Sequence, residues 1–242
     1  MNKLDFEKKI KENPFKSITN ILYEIILNDI VNFDLIPDTK INESQIAELF
    51  DVSRTPLRDA LQLLINQGFL IKIRNKGTFV APFDSEDYFK LSKFRVQLES
   101  LAAGYAAEEI TDKEINQLYK YAKNIEKAYT TSTYEEIFNA ENIFHSYLIQ
   151  CSKNNYIIQS YDLIKDKIKR YHVYITAHPE LYDYSSKGHY AICEVMKFRQ
   201  KEMAELAVQK HLSPIASYKK NSFDEATLSI IKNKLKKLEN MK

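Results

Sequence analysis

Glu141 and His145 stand four residues apart in NAENIFHSYLIQ, so on a helix both project from one side. Such a pair can give two ligands to one ion. His189 and His211 follow, 22 residues from each other, in segments that also read as helical. If the three segments pack together, three imidazoles and one carboxylate converge. That donor set suits Zn, Ni, Fe or Mn, with geometry deciding among them. The bland alternative is that each histidine is a surface residue or a satisfied core residue. There is no H-E-x-x-H pair. Three imidazoles plus a carboxylate also leave little room for the water that a catalytic zinc keeps. A metal-dependent enzyme is therefore the minor reading.

A second group of residues points to nucleic acid. In Ser53-Arg54-Thr55-Pro56-Leu57-Arg58 the two arginines are four apart and share a helical face. Each guanidinium can offer a fork to guanine O6 and N7, worth about 1–3 kcal/mol of discrimination. Ser53, Thr55 and the helix N-terminal N–H groups suit phosphate oxygens, and Ser44, early in the preceding segment, is similarly placed. Lys76 and Gly77 can approach a minor groove, the glycine permitting close backbone contact. The whole chain carries a net charge of only +2. Between Val52 and Val80, however, Arg54, Arg58, Lys72, Arg74 and Lys76 face a single acid, Asp59. Such a basic patch fits a line of phosphates.

These residues need elements to position them. Residues 17–31 place Ile18, Ile21, Leu22, Ile25, Ile26 and Ile30 on one helical face. NFDLIPDTKI breaks the pattern, with Pro37 and Asp38 as turn residues. Asn42 caps a helix over ESQIAELF, and Ser53 caps a second over RTPLRDALQLLINQ, ended by Gly68. Pro56 falls in the first turn, where its missing N–H costs nothing. Leu70–Ile73 and Thr78–Val80 read as two short strands joined by the basic tip Arg74-Asn75-Lys76-Gly77.

From Ser85 onward only helices are expected. The first carries Leu91, Phe94, Leu98, Leu101 and Ala102, and Thr111 with Glu114 forms a capping box for the next. Helices over Thr133–Gln150, Tyr156–His172, Ser186–Phe198 and Lys201–His211 follow. A second capping box at Ser222–Glu225 opens a basic amphipathic tail. The fold expected is mainly α. Residues 1–81 form a winged helix-turn-helix with a small hairpin wing, and 82–220 an all-helical antiparallel bundle. Residues 221–242 form a C-terminal amphipathic helix.

Composition sets the outer bounds. Apolar residues make up 44% and charged residues 28%, the mixture of a soluble globular protein. No stretch is apolar for the roughly 18 residues a membrane span needs. The N-terminus is polar and has no signal-peptide core. Cys151 and Cys193 have neither metal nor redox spacing. A cytoplasmic protein without membrane contact is expected.

The segment NESQIAELFDVSRTPLRDALQLLINQGFLIKIRNKGTFV closely resembles the DNA-binding domain of the GntR family of bacterial regulators. The resemblance implies a transcriptional regulator that reads double-stranded operator DNA as a homodimer, not an enzyme. It makes Arg54 and Arg58 the main base or phosphate contacts, with Thr55 and Gly77 in support. Residues 85–214 resemble, more loosely, the FCD domain of the FadR subfamily. The marks are Arg95 with Glu99, the run Glu141 to His145, Ser152-Lys153-Asn154, and the separation of His189 from His211. That resemblance implies a divalent transition metal, zinc first, held by Glu141, His145, His189 and His211. It also implies a small carboxylate effector oriented by Arg95 and Asn154. The plain alternatives are that Arg95 pairs with Glu99 at i+4 and that Asn154 caps a turn. Metal-binding members mostly carry aspartate where this chain has Glu141, and Gln200 stands where an aspartate often starts the last helix. A DNA-binding dimer whose helical domain senses nothing is the further alternative.

Overall fold

A computed structural model of the chain describes residues 1–131, 134–176 and 182–217. They form two compact units that meet in sequence between Phe83 and Asp84. The amphipathic tail expected over 221–242, with its capping box, lies outside the described residues.

The first unit opens with a helix that the sequence pattern did not signal, α1 (Lys3–Glu12), capped by Asn2. Its one buried anchor is Phe6, whose ring lies 4.8 Å from that of Phe50. Helix α2 (Ile18–Val31) buries Ile21, Leu22, Ile25, Ile26 and Ile30, as its 3.6-residue stripe requires. The Asn42 side chain caps α3 (Glu43–Phe50) by accepting from the Gln45 N–H. Helix α4 (Arg54–Asn66) turns Leu57, Ala60, Leu61 and Leu64 into the same core. Gly68, at φ 78, takes the left-handed conformation just beyond its end.

Strands β1 (Leu70–Ile73) and β2 (Gly77–Val80) pair antiparallel, Leu70 opposite Val80 and Ile73 opposite Gly77. The tip is thus three residues, Arg74 to Lys76, with Asn75 at φ 61 and Gly77 at φ 113. Thr39 to Ile41 adds a short third run along β2. The Val80 N–H donates to the Thr39 carbonyl and the Ile41 N–H to the Thr78 carbonyl, both at 2.9 Å. The Pro37-Asp38 turn had masked this pairing.

The second unit is built from helices alone among the described residues. They are α5 (Ser85–Glu109), α6 (Asp112–Thr131), α7 (Tyr134–Cys151), α8 (Asn155–Thr176), α9 (Tyr182–Met196) and α10 (Lys201–Ser217). Helix α5 packs against α7, α8 and α10. Burial on α5 therefore does not follow one stripe. Phe94 and Leu101, expected inward, are 48% and 44% exposed, while the small residues Ala102, Ala103, Ala106 and Ala107 are fully enclosed. Small side chains let three neighbours come close.

The Thr111–Glu114 capping box forms with both reciprocal bonds. Between α9 and α10 the chain breaks at Arg199, which sits at φ 52, although Gln200 is a poor cap. Helix α10 runs on past His211 to Ser217 with Pro214 inside it. A proline removes one N–H from the ladder and need not stop a helix that is packed. None of the described helices is long and apolar enough to cross a membrane.

Candidate functional site

In the first unit, α4 presents its solvent face. Arg54, Thr55 and Arg58 are exposed there, beside the exposed Ser53. Ser53 occupies the cap position but makes no side-chain capping bond, so its hydroxyl is not used by the helix. Both arginines are tethered to the start of α3. The Arg58 Nε donates to Glu43 Oε2 at 3.0 Å, and an Arg54 Nη donates to the Ser44 hydroxyl at 3.4 Å. Glu43 had not been singled out in the sequence. Its charge opposes phosphate, and it also fixes where the Arg58 fork points. Lys76 and Gly77 are exposed at the wing.

In the second unit the four expected ligands come together. Helix α7 brings Glu141 and His145, α9 brings His189, and α10 brings His211, all of them buried. One nitrogen from each imidazole lies within 4.8 Å of the others. Glu141 Oε2 is 3.0 Å from His189 Nε2 and 3.6 Å from His145 Nε2, and those two nitrogens are 3.3 Å apart. A tetrahedral ion with bonds of ~2.0–2.2 Å separates its ligand atoms by roughly 3.3–3.6 Å. The extra methylene of Glu141 thus leaves its oxygen at a ligand's distance from both histidines.

The unused polar atoms also fit an ion. Both nitrogens of His211 and the Nδ1 of His189 are buried without a hydrogen-bond partner among the described residues. Each orphan of this kind costs about 1–3 kcal/mol. Burial, then the neighbouring His189 and His145, hold the His211 imidazole well below its usual range, so it stays neutral and able to ligate. Burial would raise Glu141, but His189 and His145 outweigh it and keep the group a carboxylate.

Behind these ligands lies a second layer, the Arg95–Glu99 pair, whose link to His145 the sequence reading missed. His145 Nδ1 sits 2.6 Å from Glu99 Oε2, and Glu99 Oε1 accepts from Arg95 Nε at 2.5 Å. Burial opposes the Glu99 charge, yet Arg95 and His145 bring its pKa down to about 2. His145 in turn is raised by Glu99 against the effect of burial. A carboxylate that takes one ring N–H leaves the other nitrogen free for metal. Tyr129 donates to Glu141 Oε1 at 2.9 Å in the same way. The signal for Glu99 was its place three residues after Val96 and four before Ala103, both buried on α5. Arg95 therefore makes the i+4 pair, and through it touches the cluster. Asn154 caps α8, its Oδ1 accepting from the Tyr156 N–H at 3.0 Å.

Gly188 makes the cluster possible. A Cβ at that position would stand 2.1 Å from His211 Nδ1, so only glycine lets the imidazole lie against α9.

Residues 19–80 match the bacterial regulatory proteins of the gntR family, and residues 90–214 match the FCD domain. The chain belongs to the GntR family, in the group that carries an FCD domain. This GntR regulator is a ligand-responsive, DNA-binding transcription factor, and its FCD domain is consistent with the FadR subfamily. It is 28% identical to the uncharacterized HTH-type transcriptional regulator YdhC of Bacillus subtilis, over 84% of this chain and 91% of that one. It is 25% identical to the HTH-type transcriptional repressor RspR of Escherichia coli, over 84% and 90%. The fold matches Escherichia coli McbR/YncC with a TM-score of 0.69 at 17% identity, covering 84% of this chain and 97% of that one.

Proposed function

We propose that this regulator senses a small carboxylate through a metal-containing FCD domain and acts as a cytoplasmic homodimer on a pseudo-palindromic operator. The carrying observation is the buried cluster of Glu141, His145, His189 and His211 with unpartnered ring nitrogens. Those four residues would hold one divalent ion, with zinc the first choice for an imidazole-rich tetrahedral set and Ni, Fe or Mn as alternatives. When bound, the ion would supply a positive charge that draws a carboxylate oxygen toward the cluster. Counted with Glu141, Glu99 and Arg95, a divalent ion leaves one positive charge, which one carboxylate balances. Arg95 is the cation assigned to orient that acid. For Asn154, whose oxygen is engaged as a cap, a ligand role falls to its amide N–H groups.

In the first unit, Arg54 and Arg58 would enter the major groove. Ser53, Thr55 and Ser44 would take phosphates, and Lys76 with Gly77 the minor groove. Symmetric half-sites require symmetric readers, hence the dimer. The division into residues 1–81, 82–220 and 221–242 is proposed on the same grounds. An enzymatic role is not proposed, because the cluster has more protein ligands than an open catalytic site.

Two measurements test this reading. Elemental analysis of protein purified without chelator should give one divalent ion per chain, and His189→Ala should lose it. Arg54→Ala with Arg58→Ala should weaken operator binding by about 1–3 kcal/mol per residue. An unchanged footprint would remove the head assignment. A metal-free chain with full operator and acid responses would remove the metal.

A further inference from the structure

The two strands of the wing charge it unevenly. Residues 70–80 carry Lys72, Arg74 and Lys76 and no acid. Side chains alternate between the faces of a hairpin, and directly opposed residues share a face. Lys72 lies opposite Thr78, so it extends the face that buries Leu70 and Val80. Arg74 and Lys76 belong to the tip. The other face is built from Ile71 with Phe79 and Ile73 with Gly77, and neither strand gives it a charge.

Lys40 supplies that charge from outside the hairpin. It bridges Phe79 antiparallel, in the short third run along β2, so its side chain stands on the uncharged face. From there it leans toward the tip. A Cβ built on Gly77 would lie 3.3 Å from Lys40 Cε, so the lysine stem crosses the bare face of the glycine. Gly77 sits at φ 113, a conformation that a residue with a Cβ resists. Lys40 is exposed, and among the described residues no acid or carbonyl holds its ammonium. Asp38, two residues before it, makes no ion pair with it. By contrast, Lys9 and Lys16 are tied to Glu24, and Arg58 to Glu43.

We infer that Lys40 is a DNA-contacting residue of the wing and binds a backbone phosphate. The minor groove is about 6 Å wide, and the phosphates of both strands wall it. A hairpin whose tip enters the groove turns one face toward each wall. Lys72 serves one face and Lys40 the other, with Arg74 and Lys76 between them at the tip. A lysine ammonium is a point charge on a flexible stem, suited to a phosphate oxygen. Lys40 therefore adds affinity without sequence choice. This rests on the reading of the wing as a minor-groove element proposed above, and adds a contact from outside the strands that form it.

The test is a fluorescence-anisotropy titration of the full-length protein at salt from about 50 to 200 mM. Two probes are used: a duplex that the protein itself selects from random sequence, and a scrambled duplex of equal length. Lys40→Met removes the charge and keeps the stem. One lost phosphate contact lowers the slope of log affinity against log salt by about 0.9. Across a fourfold rise in salt the parent should then lose about 3.5-fold more affinity than the variant, on both probes alike. Lys40→Gln, which adds no apolar surface, should give the same slope, and Lys40→Arg should restore that of the parent. An unchanged slope for Lys40→Met overturns the inference, as does an affinity loss that salt does not alter, since lost packing would do that. A loss confined to the selected duplex also overturns it, because Lys40 would then read a base. Lys76→Met separates this inference from the wider reading. If it lowers the slope and Lys40→Met does not, Lys40 alone is removed; if neither does, the minor-groove wing is removed as well.

Discussion

Gly188→Ala asks whether the cluster depends on the spacing of α9 and α10. The new Cβ would lie 2.1 Å from His211 Nδ1, 3.0 Å from Cγ and 3.1 Å from Cε1. That is roughly 1.3 Å short of ordinary contact at 3.4 Å. Two opposing effects act on stability. Alanine gains about 1 kcal/mol over glycine inside a helix. Overpacking a filled core costs about 1–3 kcal/mol. The net loss is about 0–2 kcal/mol, which for a chain of this size lowers Tm by up to about 8 °C.

The effect on metal is sharper, because ligand distances tolerate only about 0.2 Å. A ring displaced by more than 1 Å no longer ligates, and affinity should fall at least about 100-fold, beyond what loss of an outer partner does. Competition against a chromophoric chelator measures this, with a thermal scan alongside. Gly104→Ala is the control. Its Cβ would meet Glu205 Oε1 at 2.4 Å, Cγ at 2.9 Å and Cδ at 3.0 Å, one half-buried side chain that can rotate away as a whole with no metal ligand involved, so Tm should change little and zinc should stay. A Gly188→Ala protein that holds zinc like the parent, with Tm raised by the helix-propensity gain, would refute the packing argument.

Three further outcomes follow from the same geometry. Glu43→Gln removes an acid beside the reading helix and releases Arg58, so affinity for nonspecific duplex should rise a few-fold while the specific-to-nonspecific ratio falls; a gel-shift series across salt checks both. Glu99→Gln keeps the shape but leaves Arg95 and His145 facing a neutral group, so zinc affinity should drop about 10–100-fold with helix content retained; unchanged affinity would deny Glu99 its orienting role. Stability of the metal-free protein should peak near pH 6.5, the usual value for an unfolded imidazole. His211, lowered in the fold, gives stability that is full above that pH and lost as pH falls; His145, raised, gives stability full below it and lost as pH rises. A urea midpoint flat from about pH 5.5 to 8, or a His211→Phe variant with an unchanged acid limb, would contradict this.

The sequence was most legible where local signals agreed. In α4 a cap residue, a first-turn proline and the stripe Leu57, Leu61 and Leu64 all give one answer, and the exposed Arg54 and Arg58 follow from it. Helix α1 was not legible, because its one anchor, Phe6, has meaning only once Phe50 is beside it. The ligand types were readable at Glu141, His145, His189 and His211. The carboxylate that orients His145 was not, since Glu99 lies 46 residues away on a helix whose burial is set by three neighbours. Gly188 was hidden for a related reason. A glycine next to a histidine in a helical stretch reads as a weak point, and only the packing of α10 makes it a requirement.

The strongest argument for a sensing role is an accounting of buried polar groups. A helical bundle can fill its centre with leucine and alanine, as the core around Leu118, Leu148 and Val208 does. Instead, this one encloses two carboxylates, a guanidinium and three imidazoles between α5, α7, α9 and α10. Glu99, Arg95 and His145 satisfy one another. His189 Nδ1 and both nitrogens of His211 do not find partners among the described residues. Three such orphans would cost the fold several kcal/mol, a large share of the total stability of a domain. A structure that only had to hold two heads together would be more stable with an apolar centre. The arrangement makes physical sense when the missing partners come from outside, as an ion held between the imidazoles would supply.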